Sequence, residues 1–163
     1  METREYDGIA VREGVRRLKS HLRITADDLD GELEQKFLAA ALFAEHWTGM
    51  TIVLSSVVLS SPFSRSVPLR PTVSAVRGVA VDGADLPAGS WTLSGGDVLL
   101  ADSVSGSTVT VRYAAGLVTV PDDIMQAILL KAGSMFSSPL DSVEVLATAS
   151  MNLLRPYRTY RNG

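Results

Sequence analysis

The sequence contains no cysteine, which excludes disulfides, thiolate metal sites and a cysteine nucleophile. Histidine is almost as scarce. His21 and His46 are the only two, both fall in helical patterns, and neither has the neighbouring ligands or carboxylates that a metal or catalytic centre needs. Aromatic residues make up 6% of the chain, and Trp47 and Trp91 read as core aromatics and not as walls of a binding cage. The apolar stretch with few interruptions from Thr51 to Leu59 falls far short of the roughly 20 residues that span a bilayer. Met1 to Gly8 is polar and charged and shows no signal-peptide core, so a protein made and kept in a cytoplasm is expected.

Familiar catalytic and ligand-binding patterns are missing too. There is no Gly-x-Ser-x-Gly elbow. Gly95-Gly96-Asp97 is followed by no Lys-Ser/Thr pair and reads as a turn, not a phosphate cradle. Counted from Asp27, the positions where a calcium loop needs glycine and glutamate hold Glu32 and Leu38. The expectation is a protein that is not an enzyme and that uses no metal and no cofactor.

What is present is a globular composition. The 163 residues are 46% hydrophobic and 20% charged, enough for one domain with a real interior. The net charge of −3 is unevenly spread. Asp27, Asp28, Asp30, Glu32 and Glu34 form an acidic run without a base, which suits a helix start and a solvated face. Arg155, Arg158 and Arg161 alternate with Tyr157 and Tyr160 near the C-terminus. Such a peptide suits contact with a protein surface or a nucleic acid.

The pattern along the chain is helix, strands, helix. Val11, Val15, Leu18 and Leu22 mark a short amphipathic helix. Thr25 with Asp28 predicts the start of a second helix. Its stripe runs Leu29, Leu33, Phe37, Ala40, Ala44, Trp47, and Gly49 stops it. Leu38, Ala41 and Leu42 widen the stripe, so this helix is apolar on more than one side. Thr51 to Leu54 and Val57 to Leu59 are β-prone. Asp82-Gly83 signals a hairpin turn whose return strand is interrupted by Pro87, and Gly95-Gly96 signals a second turn. Thr108 to Tyr113 alternates like a strand. Pro121, Asp122 and Asp123 open a further helix carrying Ile124, Ile128, Ala132 and Met135, and Ser137-Ser138-Pro139 ends it. Gly133 within it suggests close helix packing. Residues 140–150 lack clear periodicity and read as a loop that orders on assembly. The fold class expected is α+β: a mainly helical body, with one long helix in each half, and a small antiparallel β-sheet inserted at about residues 51–115.

Several segments, in order, resemble the head–tail connector (adaptor) family of tailed bacteriophages. They are Leu18-Lys19-Ser20-His21-Leu22-Arg23-Ile24, the Asp27-Asp28 pair, and the long Ala-rich helix ending in Trp47-Thr48-Gly49. Val109 to Gly116, Val120 to Leu130, and the finish Leu153-Leu154-Arg155-Pro156-Tyr157-Arg158 follow. The resemblance spans most of the chain, and the Ser-rich stretch after Phe136 departs from it. It implies a structural subunit of the virion neck, assembled in the host bacterial cytoplasm. It implies a homo-oligomeric ring of about twelve copies. The ring would dock beneath the portal protein and bind a stopper or tail protein on its other side. It would form part of the DNA channel, touching passing double-stranded DNA only transiently and without specificity. No cofactor, no catalysis and no membrane contact are implied.

A closed ring needs two different adhesive faces on each subunit. The long helix, through Leu38, Leu42 and Trp47, is the candidate ring contact. Leu153, Leu154, Arg155, Tyr157, Arg158, Tyr160 and Arg161 are the candidate portal-docking residues, Tyr and Arg being frequent interface anchors. The chain thus divides into a connector domain, residues 1–150, and a docking tail, residues 151–163. Truncation after Ser150 is expected to leave the fold intact and abolish docking. Two other readings stay open. A tail-completion or other neck protein of similar ring form would differ in the viral protein it binds. A soluble binding module with a basic tail would form a small oligomer and bind nucleic acid in a salt-sensitive way.

Overall fold

The structure, a computed structural model, describes residues 1–137 and 143–158, the side chains of 143–148 excepted. The chain forms two compact units. One comprises Met1–Tyr6 and Leu54–Val118, the other Asp7–Val53 and Thr119–Gly163.

The first unit is built of strands. β1 (Glu2–Tyr6), β2 (Ser55–Pro62), β8 (Thr108–Ala115), β4 (Val73–Val81) and β5 (Ala84–Asp85) lie in that order in one antiparallel sheet. β3 (Ser66–Pro68), β7 (Asp97–Leu100) and β6 (Trp91–Ser94) form a second. The alternation in β8 explains how the larger sheet buries one face: Val109, Val111 and Tyr113 are buried, while Thr108 and Arg112 are exposed. Val57 and Val79 from its neighbours join Val67, Val98 and Leu100 from the smaller sheet in one apolar core. The Asp82-Gly83 and Gly95-Gly96 turns are confirmed, with φ of 50° and 84° and of 61° and 91°. Positive φ at both central residues is the geometry that matches strand twist in a two-residue hairpin. β5 stops after Asp85, just before Pro87, as the sequence indicates.

The α+β class holds, but the β part is larger than a small insert. Two sheets with their own core replace the single sheet expected. Part of the difference is β1, which the polar N-terminal sequence concealed. β1 is an edge strand, so its polar side chains need not be fully buried. Arg4 Nε donates to Ser55 Oγ at 2.9 Å and the Glu2 carboxylate pairs with Arg70.

The second unit is helical. α1 (Gly8–Leu22) starts where the Asp7 carboxylate accepts the Ile9 and Ala10 N–H groups at 3.0 and 2.9 Å. Val11, Val15 and Leu18 are buried. Gly14 lies against the Phe37 ring of α2 (Asp30–Thr48). α2 begins one turn later than its sequence suggests, and no side chain caps it. The turn is fastened instead by Lys19, whose Nζ reaches Asp27 at 2.6 Å and Asp30 at 2.7 Å. Leu33, Phe37, Ala40 and Ala44 are buried as their period requires, and Gly49, φ 73°, ends the helix.

Thr51 to Leu54 is not a strand. The buried Glu45 carboxylate accepts the Ile52 and Val53 N–H groups at 2.8 and 3.1 Å, so these amides are not available to a sheet and β2 starts at Ser55. α3 (Asp122–Ser137) follows Pro121 directly and buries Ile124, Ile128 and Ala132. A Cβ on Gly133 would lie 3.3 Å from Leu22 Cδ2, which accounts for glycine where α3 meets α1. The expected helix stop includes Ser138 and Pro139, which lie outside the described residues. The stretch read as a loop holds a helix, α4 (Val143–Leu154), packed on α3 and α2. Its β-branched and small residues have weak helix propensity, and packing on neighbouring helices stabilises it. A short 3-10 turn, Arg155–Tyr157, follows α4.

Candidate functional site

The candidate docking residues do not form one free tail. Leu154 is fully buried, Leu153 half-buried and Arg155 exposed. Tyr157 Oη donates to the Asp123 carboxylate, with both oxygens at 2.8 Å. Asp123 also accepts the Ile124 N–H at 2.9 Å, in the first turn of α3. The hydrogen bond to Asp123, then desolvation, holds the Tyr157 phenol above its ordinary pKa of 10.0. The Arg158 guanidinium lies 4.8 Å from the centroid of the Trp47 ring, a cation–π stack. The C-terminal segment is thereby clasped to its own helical unit at the start of α3 and the end of α2. Tyr160 and Arg161 lie outside the described residues.

The candidate ring residues separate. Leu42 is exposed and Leu38 half-buried. They adjoin a row formed by Gln35, Ala39, Leu42 and His46, all exposed, which recur at helical spacing and share one face of α2. Trp47 belongs to a different side, half-buried beneath Arg158.

α1 offers a surface that the sequence reading left unassigned. Arg12, Arg16 and Arg17 are exposed, and Ile9 is 72% exposed. Arg16 and Arg17 share one carboxylate, Glu13, at 2.7 and 3.0 Å. The two guanidiniums hold the Glu13 pKa down to about 2. Ile9 stands outside the stripe of Val11, Val15 and Leu18, and that mismatch of period is the sequence signal for it. Between α1 and α2 runs a groove of about 530 Å³, basic on one wall through Arg12 and Arg16 and acidic on the other through Asp30 and Glu34. Lys19 crosses toward the acidic wall, and its ammonium is held above its ordinary pKa by Asp27 and Asp30.

Both histidines are exposed. Among the described residues no three His, Asp or Glu side chains gather as a metal site, and no helix is long and apolar enough to cross a membrane. The geometry offers three features at the surface: an exposed row on α2, a basic face on α1 and a clasped C-terminal segment.

No protein-family model and no curated protein sequence matches the chain. Solved structures do. A chain in the neck of an empty gene transfer agent particle, computed with C6 symmetry, superposes with a TM-score of 0.74 at 21% identity, covering 99% of this chain and 96% of that one. A chain in the neck of the native particle, computed with C12 symmetry, gives a TM-score of 0.77 at 18% identity with the same coverage. A chain in the virion of the native gene transfer agent gives 0.73 at 21% identity. Over nearly its whole length the chain therefore has the fold of chains from gene transfer agent necks, consistent with its resemblance to head–tail connectors.

Proposed function

We propose that the chain is a head–tail connector subunit, a structural component of a virion neck. In this reading about twelve copies form a ring that docks beneath a portal protein, receives a stopper or tail protein, and lines part of the DNA channel. The observation that carries the proposal is the match in fold at 99% and 96% coverage to chains in neck structures. The C12 symmetry of one of those necks supports the copy number. The ordered segments that resemble connectors, from Leu18 to Arg158, support the position in the neck.

The docking segment, residues 151–163, keeps its role with a division of labour. Leu154 and Tyr157 anchor it to its own unit. Leu153 and Arg155 are left to meet the partner, with Arg158 stacked on Trp47, and Tyr160 and Arg161 are assigned to the same contact. Leu38 and Leu42 on α2 belong to the ring contact. A tail-completion protein would share the fold and the ring, and its partner alone would separate the two.

Native mass spectrometry of the chain, alone and mixed with the portal protein encoded near it, tests the proposal. The expected result is a discrete shift of about twelve subunits per portal ring. A chain that stays monomeric or dimeric with portal present would overturn it. Association with a tail tube protein and not with portal would favour the tail-completion reading.

A further inference from the structure

Two consecutive segments of the helical unit carry opposite charge. Residues 8–24, comprising α1 and the residues just after it, hold Arg12, Arg16, Arg17, Lys19 and Arg23 against the single acid Glu13. Residues 25–34 hold five acids and no base. Lys19 with Asp27 and Asp30 neutralises part of this within the subunit, and Glu13 engages Arg16 and Arg17 together. Arg12 and Arg23 remain exposed on one side, and Asp28 and Glu32 on the other.

Each face also has an apolar centre. On α1, Ile9 is 72% exposed and shares a helix face with Arg12 and Arg16, three and seven residues on. On α2, Leu42 is 37% exposed, with Ala39 and Leu38 beside it and Glu32 toward the N-terminal end. α2 meets α1 where Gly14 abuts Phe37 and meets α3 where Lys131 lies over Phe43. At 100° per residue, its row of Gln35, Ala39 and Leu42 turns away from the Gly14–Phe37 contact and runs beside Phe43. Ile9 and Leu42 are exposed on different helices, so one copy presents two distinct apolar centres, as a head-to-tail contact requires.

We infer that the α1 face of one copy, centred on Ile9, seats against the outward α2 face of the next copy, centred on Leu42. An antiparallel seating sets Ile9 against Leu42 and carries Arg12 and Arg16 toward Glu32. A parallel seating would carry the same arginines toward His46 and lose the charge match. This inference rests on the ring reading above and deepens it, because it names which surface of the neighbour covers α2.

The absence of cysteine makes a direct test available. Full-length Ile9→Cys and Leu42→Cys variants, each otherwise wild type, are mixed in equal amounts and treated with a short bismaleimide. The expected product is a covalent dimer containing one copy of each variant, confirmed by peptide mapping, at several-fold higher yield than either variant alone. Rings of normal mass without that mixed product would overturn the contact and leave the connector proposal standing. Failure of the wild type to associate at all, alone or on portal, would remove the ring and this contact together. In parallel, Arg12→Glu/Arg16→Glu is expected to abolish association and regain it when mixed with Glu32→Arg. Were that double variant to assemble normally but lose binding to a duplex DNA probe, the α1 face would be a DNA surface and the inference would fail.

Discussion

At the scale of single residues, two positions in the structure are tightly constrained. A Cβ on Gly14 would lie 2.1 Å from Cζ of Phe37, whose ring is 2% exposed and has nowhere to move. Gly14→Ala gains helix propensity but overpacks the α1–α2 contact, and a net loss of about 1–2 kcal/mol is expected. Urea denaturation reads it, and adding Phe37→Leu should recover part of the loss, since the two sites couple directly. Asp82 is constrained electrostatically. Its carboxylate accepts the Thr108 N–H, the Ser107 N–H and the Thr108 hydroxyl at 2.8–3.0 Å, led by the Thr108 amide in holding its pKa below the ordinary 3.8. A depressed carboxylate contributes stability above its unfolded value and loses it as pH falls through the folded one. The wild type should therefore lead Asp82→Asn in denaturation midpoint at about pH 7, and the lead should shrink at about pH 2.5. A lead that is constant with pH would show that the charge on Asp82 is not what matters.

At the scale of elements, the C-terminal segment behaves as part of the helical unit. Leu154 is fully buried and Tyr157 is bonded to Asp123, so truncation after Ser150 removes core contacts as well as docking residues. That changes the outcome expected from sequence. Leu154→Ala alone should cost about 2–5 kcal/mol, and the truncation at least as much, read as a lower thermal midpoint. Truncation after Arg158 keeps those contacts and should leave the midpoint unchanged while weakening portal capture through the loss of Tyr160 and Arg161. The same segment shows what the sequence can reveal. α1, α2 and α3 were legible because each buries one stripe, and the hairpins because Asp-Gly and Gly-Gly permit positive φ. β1 was not, because its pairing is specified by residues 55–59, far along the chain. α4 was not, because its valine, threonine and serine residues have weak helix propensity and mask the short spacing of Glu144, Thr148 and Asn152. On the surfaces, Leu38 and Leu42 stood out as a second apolar side of α2. The Tyr157–Asp123 bond joins residues 34 apart and has no local signature.

At the scale of the whole molecule, a net charge of −3 understates how the charge is arranged. The basic α1 segment and the acidic run that follows it almost cancel in the sum, yet they project from different helices. A ring closed by such faces repeats the same attraction at each joint, so a modest change per contact is multiplied around the circle. Exposed pairs are screened by salt, whereas apolar contacts are not weakened by it. Self-association is therefore expected to fall, without vanishing, between about 50 mM and about 500 mM sodium chloride, as the charged rim is screened and the apolar centre persists. Leu42→Ala should weaken association at both concentrations, because it removes the apolar contact with Ile9 and leaves the charged rim in place. Sedimentation velocity across the two salts reads both effects. Association that strengthens with salt would assign the contact to apolar burial alone, and the arginines of α1 would then have no part in closing the ring.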